Sequence, residues 1–227
     1  MRSIDPDAQF VYNENGLRIQ KTVNGVVTKY TLHGKNIVHM TQGGNELHFF
    51  YDAQNRPAVV VYNGTAYAYV KSLQGDILAI LDENGNTVVN YGYDAWGAPL
   101  WCTGELAETL GKVQPFRYRG YVFDEETGLY YLRSRYYNAE RSRFVNADDC
   151  FSEKNLYCYC INAPVERCDP SGHEYLCIAM YCVALNKTDA DSIIDLEDIG
   201  LKQTMSNRLI DSGMLTVIVE KTYKCSR

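Results

Sequence analysis

The chain has 227 residues, 46 % hydrophobic and 22 % charged, with a net charge of −6 and a pI near 5.3. That is enough apolar chain to bury the core of one large all-β domain or two small ones, and the acidic balance with no basic run gives no electrostatic footprint for a nucleic-acid backbone. No stretch of about 18 apolar residues occurs, and the opening MRSIDPDAQFVYNENG lacks an apolar run of signal-peptide length, so neither a membrane-spanning segment nor a signal peptide is expected.

Tyrosine-and-turn units recur through the first 93 residues: VYNENGLR at Tyr12, KYTLHGKNI at Tyr30, FYDAQNRP at Tyr51, AYVKSLQGDI at Tyr69 and GYDAWGAP at Tyr93, at intervals of 18, 21, 18 and 24 residues. A drifting period near twenty with a turn signal in each unit, and no apolar 3.6-residue pattern between turns, predicts strung β-hairpins. Asn-Gly and Gly neighbours stand where tight hairpins need positive φ, and runs such as HFFYDA and AVVVYNG carry the β-branched and aromatic residues of strands. Isolated hairpins are marginal, so the units must stack edge to edge into a continuous sheet. Nothing near Met1 would cap such a sheet, so this end is expected to be a cut edge.

From Arg117 to Asn138 the sequence RYRGYVFDEETGLYYLRSRYYN places six tyrosines around the turn DEETG, a closely specified hairpin. Tyr130, Tyr131, Tyr136 and Tyr137 are expected to be packing residues of that sheet. Arg133, Arg135 and Arg143 are expected to stack on the rings or to pair with acids such as Asp124, Glu125 or Glu126.

The blocks YGYDAWGAPL, FRYRGYVFDEETGLYYLRSRYYNAERSRFVNADD and NLYCYCINAPVERCDPSG, in that order, resemble the RHS (rearrangement hot spot, or YD-repeat) proteins with their associated core domain, over roughly residues 9 to 173. The resemblance implies a mainly β fold. Residues 1–93 would be YD-repeat hairpins forming part of a hollow shell, 94–173 the core that closes it, and 174–227 a variable C-terminal tail, a toxin or toxin remnant. It also implies that the chain's partners are its own C-terminal cargo and, where the system is intact, an immunity protein for that cargo. Export would be directed by a longer parent chain or a dedicated secretion system, with a role in bacterial competition.

The family's core carries two Asp-Pro motifs and is cut by the protein itself just after the second. Here the second stands as DPSG, with Asp169, Pro170 and Gly172, and the first as ADDC, where Asp148 matches the Asp and Asp149 replaces the Pro. Two further departures are His173 where the family has Leu, and Ser142 in place of a Gly just before Arg143. The implied site is therefore catalytic Asp148 and Asp169, supported by Arg143, Asp149, Pro170, Gly172 and His173, acting on the bond between His173 and Glu174. Two carboxyls close together cannot both ionise, so a shared proton would leave one as base and the other as acid. The ordinary alternative is that both aspartates are turn residues holding loops through side chain to backbone bonds.

Seven of the eight cysteines follow residue 149 with no evenly spaced framework, and they are read as reduced thiols. Cys158 and Cys160, in CYC, would lie on one face of a strand; with one residue between them they lack structural-zinc spacing and are read as small buried hydrophobes. No metal and no cofactor is assigned.

The tail reads as small α+β: EYLCIAMYCVALN as a strand or a buried helix, 188–213 as a helix with a capping box from Thr188 to Asp191, and MLTVIVEKTY as a strand. Its acidic run from Asp189 to Asp198 is read as a solvated helix face. A competing reading of the whole chain is a non-enzymatic cell-surface module whose tyrosine-rich sheet binds carbohydrate or another cell. Outward aromatics would favour that module and inward aromatics the shell.

Overall fold

The computed structural model describes residues 7–148 and 155–173, together with the backbone of two strands, Tyr175–Ala184 and Met214–Tyr223. Ten strands form one antiparallel meander in chain order: β1 (Ala8–Tyr12), β2 (Arg18–Val23), β3 (Val26–His33), β4 (Asn36–Gln42), β5 (Asn45–Tyr51), β6 (Pro57–Tyr62), β7 (Thr65–Lys71), β8 (Ile77–Leu81), β9 (Thr87–Tyr93) and β10 (Pro99–Thr103). The sheet therefore runs on past the repeats to Thr103.

Two kinds of turn build this sheet. Asn24-Gly25 and Asn63-Gly64 make tight turns with φ of 50° and 79°, and 47° and 86°, conformations that Asn and Gly tolerate best. The wider turns are each opened by one side chain. Asp52 Oδ1 accepts bonds from the amides of Gln54 (3.0 Å) and Arg56 (2.9 Å), and Asp94 Oδ1 does the same with Trp96 (2.9 Å) and Ala98 (2.8 Å). Asn13 and Asp82 repeat the pattern. The recurrent Tyr-Asp pair thus has a division of labour: the tyrosine packs the sheet and the aspartate folds the turn.

One face of the sheet is buried. Along β5, Leu47 and Phe49 are buried while Glu46, His48 and Phe50 are exposed, as strand alternation requires. The buried face gathers Met40, Leu47, Phe49, Val60, Ile77 and Ile80 against Leu110, from a single helical turn α1 (Leu110–Val113), and Phe116.

A second sheet follows, of β11 (Val122–Asp124), β12 (Leu129–Leu132), β13 (Arg135–Asn138) and β14 (Arg143–Phe144). Its register sets Tyr130 opposite Tyr137 and Tyr131 opposite Tyr136, the ladder anticipated from sequence. Tyr130 and Tyr137 are fully buried, and their hydroxyls donate to the carbonyls of Gly97 and Trp96, each at 2.7 Å. Those carbonyls belong to the turn opened by Asp94, so the second sheet is pinned on a repeat turn. Tyr12 and Tyr136 add a hydroxyl to hydroxyl bond of 2.8 Å between the two sheets.

The acids named as partners for Arg133, Arg135 and Arg143 are otherwise engaged. Asp124 and Glu126 pair with Arg18 and Lys21 of β2, and Glu125 lies 3.9 Å from Arg117. The sequence around CYC is also not a strand: Cys158 forms an isolated bridge to Arg143, and Cys160 begins a 3-10 turn with φ of 50°. Cys160 is nonetheless buried, which pushes its thiol pKa up.

A third sheet joins β15 (Arg167–Cys168) to β16 (Tyr175–Ala184) and β17 (Met214–Tyr223). The opening of the tail is thus a strand, and MLTVIVEKTY is a strand as expected. The helix expected over 188–213 and its acidic run lie outside the described residues.

Candidate functional site

Asp148 and Asp169, 21 residues apart in the chain, meet at Arg135. Its Nη2 is 2.8 Å from Asp148 Oδ2 and 3.5 Å from Asp169 Oδ2, and the Arg135 and Asp169 side chains are both 5 % exposed. Arg135 is placed there by the tight turn between β12 and β13, where Leu132 pairs with Arg135 and Arg133 adopts φ of 65°. Its guanidinium lies 3.6 Å from the centroid of the Phe144 ring and also donates to the Leu156 carbonyl at 3.1 Å. One guanidinium nitrogen of Arg135 thus reaches both acids.

The second aspartate also folds the loop it belongs to. Asp169 Oδ1 accepts bonds from the amides of Gly172 (2.7 Å) and Ser171 (3.2 Å), while the Asp169 amide donates to the Tyr121 hydroxyl at 2.8 Å. Tyr121 is buried and shares a bond of 3.2 Å with the Tyr159 hydroxyl. The same loop is held from outside by Ser134, whose hydroxyl donates to the Ser171 carbonyl at 2.7 Å, and by Arg135 Nε, which donates to the Gly172 carbonyl. Residues 169 to 172 are therefore fixed by bonds on both sides, immediately before the bond between His173 and Glu174.

Gly172 has φ of +81°, and a Cβ there would lie 2.4 Å from Ser134 Oγ and 2.8 Å from the Leu132 carbonyl oxygen. Only glycine fits this approach. His173 Nδ1 stands 3.4 Å from Asp148 Oδ1, so the imidazole is directed at the first-motif acid. Pro170 is exposed and lines a cavity of about 320 Å³ with Arg18, Tyr30, Phe116, Arg133 and Cys168.

Of the supporting residues, Arg143 is not at this centre: it is exposed, pairs with Asn138 across β13 and β14, and lines a separate shallow pocket with Arg141 and Tyr157. The arginine that serves the acids is Arg135, eight residues earlier. Asp149 lies outside the described residues. Ser134 and Tyr121 were not singled out in the sequence, because a serine in a turn and one tyrosine among 19 carry no signal until the loop is seen between them.

The chain matches the Teneurin YD-shell family over residues 38–165. It is 40 % identical over 178 residues to the tRNA3(Ser)-specific nuclease WapA of Bacillus spizizenii, covering 74 % of this chain and 8 % of that protein. It is 44 % identical over 100 residues to the toxin protein Tse5 of Pseudomonas aeruginosa, covering 43 % of this chain and 7 % of that one. The chain thus spans under a tenth of these relatives. Among solved structures, the TcdB2-TccC3-Cdc42 crystal structure superposes with a TM-score of 0.61 at 20 % identity, covering 76 % of this chain and 9 % of that chain, a likeness of fold.

Proposed function

Since the chain belongs to the Teneurin YD-shell family, within the RHS/YD-repeat proteins, we propose that it is the C-terminal part of an RHS-type toxin, a shell and plug that cuts itself after His173 and frees the segment beyond. Its toxin relatives support the shell role. The observation that carries the cleavage reading is the clamp on residues 169 to 172 with Asp148 and Arg135 beside it.

In this reading Asp148 is the proton-transfer group. It takes a proton from a water that adds to the His173 carbonyl, and the proton is delivered to the leaving nitrogen of Glu174. One water is consumed, leaving a carboxylate on His173 and an amine on Glu174. Asp169, Gly172 and Ser134 are positioning residues that hold the preceding backbone, which supplies effective concentration. Arg135 holds both acids and the Gly172 carbonyl in one place.

The freed tail would be the cargo. An immunity protein specific for it would be the second partner, and delivery by a longer parent chain or dedicated machinery would carry it to a competitor. The inward placement of Tyr30, Tyr69, Tyr91, Tyr130 and Tyr137 supports a shell over a sugar-binding sheet, which needs its aromatics outside. Intact mass of the purified chain tests the proposal. Two pieces, the second beginning at Glu174, are expected; one unbroken chain after long incubation across mildly acidic and neutral pH would overturn it.

A further inference from the structure

Three side chains of the repeat sheet converge on its outer face, away from the clamped loop. Strand alternation puts Glu46 and His48 of β5 on the side opposite the buried Leu47 and Phe49, and the register sets His39 of β4 directly across from His48. The two imidazole rings stand 4.6 Å apart, centroid to centroid. Both turn their Nε2 toward the same atom, Glu46 Oε1, at 3.0 Å for His39 and 3.4 Å for His48. All three donor atoms lie within 4.8 Å of one another.

We propose that His39, Glu46 and His48 form a binding site for a divalent transition-metal ion of the zinc class. A tetrahedral zinc with bonds of about 2.0–2.1 Å holds its donor atoms roughly 3.3–3.4 Å apart, close to the 3.0 and 3.4 Å from each Nε2 to the Glu46 oxygen. Two imidazoles and a carboxylate suit zinc, copper or nickel and fit poorly to calcium or magnesium, which prefer all-oxygen shells. Glu46 and His48 are exposed and His39 half-buried, so the remaining coordination positions are open to water. All three ligands come from one hairpin with a Gly43-Gly44 turn, so the ion would clip β4 to β5 without moving the backbone.

The three residues are invisible as a motif in the sequence. His39 and Glu46 are separated by six residues, and only the hairpin register brings them together. The site is independent of the cleavage centre, and it survives whether or not the chain cuts itself.

The chain holds four histidines, so each imidazole can be followed separately in a long-range proton–nitrogen spectrum of the full chain during a Zn²⁺ titration at neutral pH. The expected result is that the Nε2 signals of His39 and His48 move together to a metal-bound position in one saturating step, while His33 stays in place. His48→Gln, an exposed substitution that leaves the metal-free melting temperature unchanged, should abolish the response of His39. The proposal is overturned if His39 and His48 do not move while thiols take up the metal, if His33 moves equally, or if His39 still responds in H48Q.

Discussion

Arg18 and Asp124, 106 residues apart, form a buried two-pronged ion pair, with Nη1 to Oδ2 at 2.5 Å and Nη2 to Oδ1 at 2.8 Å and both side chains 1 % exposed. Lys21 Nζ adds a third bond to Asp124 at 3.0 Å, so β2 of the repeat sheet is fastened to the end of β11 in the core. Burial works against the charge of Asp124, but Arg18 and Lys21 outweigh it and hold its pKa below the usual carboxylate value.

Removing that charge should therefore unfasten the two sheets. Asp124→Asn leaves two buried cations short of a carboxylate and is expected to cost about 3–5 kcal/mol, read as a lowered midpoint in urea. A midpoint within error of wild type would mean that the pair carries no stability.

The same pair sets a pH dependence. Because the folded pKa is depressed, its contribution is complete above the unfolded value of about 4 and is lost as pH falls through the folded value. Melting temperature followed downward from neutral pH should begin to drop below about pH 4, and Asp124→Asn should flatten that part of the curve. A parallel drop in the variant would place the acid sensitivity elsewhere.

Tyr130 separates packing from hydrogen bonding. Tyr130→Ala empties a fully buried site and should cost about 3–5 kcal/mol. Tyr130→Phe keeps the ring but orphans the Gly97 carbonyl, at about 1–2 kcal/mol. Equal losses in the two variants, measured by chemical denaturation, would show that the ring packs less than its burial implies.

If the chain cuts itself as proposed, Asp148→Asn and Asp169→Asn should each stop it, the first because an amide cannot exchange the proton and the second because it no longer balances Arg135 and lets the clamp shift. Each variant leaves Arg135 one carboxylate, and the side-chain amide introduced by Asp169→Asn keeps an oxygen for the backbone amides of Ser171 and Gly172, so both should fold. Mass spectrometry paired with thermal melting checks this. Continued cutting in Asp148→Asn would remove it from the chemistry, and Asp149→Ala should leave cutting intact.

Gly172→Ala tests the clamp alone. Its Cβ has no room beside Ser134 and the Leu132 carbonyl at φ +81°, so the loop must shift at a cost of about 1–3 kcal/mol. Cutting should be lost with the acids untouched. An unchanged melt with full cutting would show that the loop is not a positioning element.

What is local in this fold was legible in the chain alone. Turn residues at Asn24-Gly25, Asp52 and Asp94 act within four residues of themselves, so hairpins were legible from composition and period, and the strand alternation around Tyr130 and Tyr137 followed from the same rule. Asp148, Asp169 and Gly172 were legible as a motif because a resemblance aligned them. Whatever depends on separation in the chain was set only by packing in three dimensions. That packing chose Arg135 over Arg143 for the acids, gave Asp124 to Arg18, folded CYC into a turn, and brought His39 to Glu46 and His48. A charge finds its partner through space, across registers and turns that one-dimensional spacing does not encode, and a two-residue change of position on a strand keeps a side chain's face while changing every neighbour it meets.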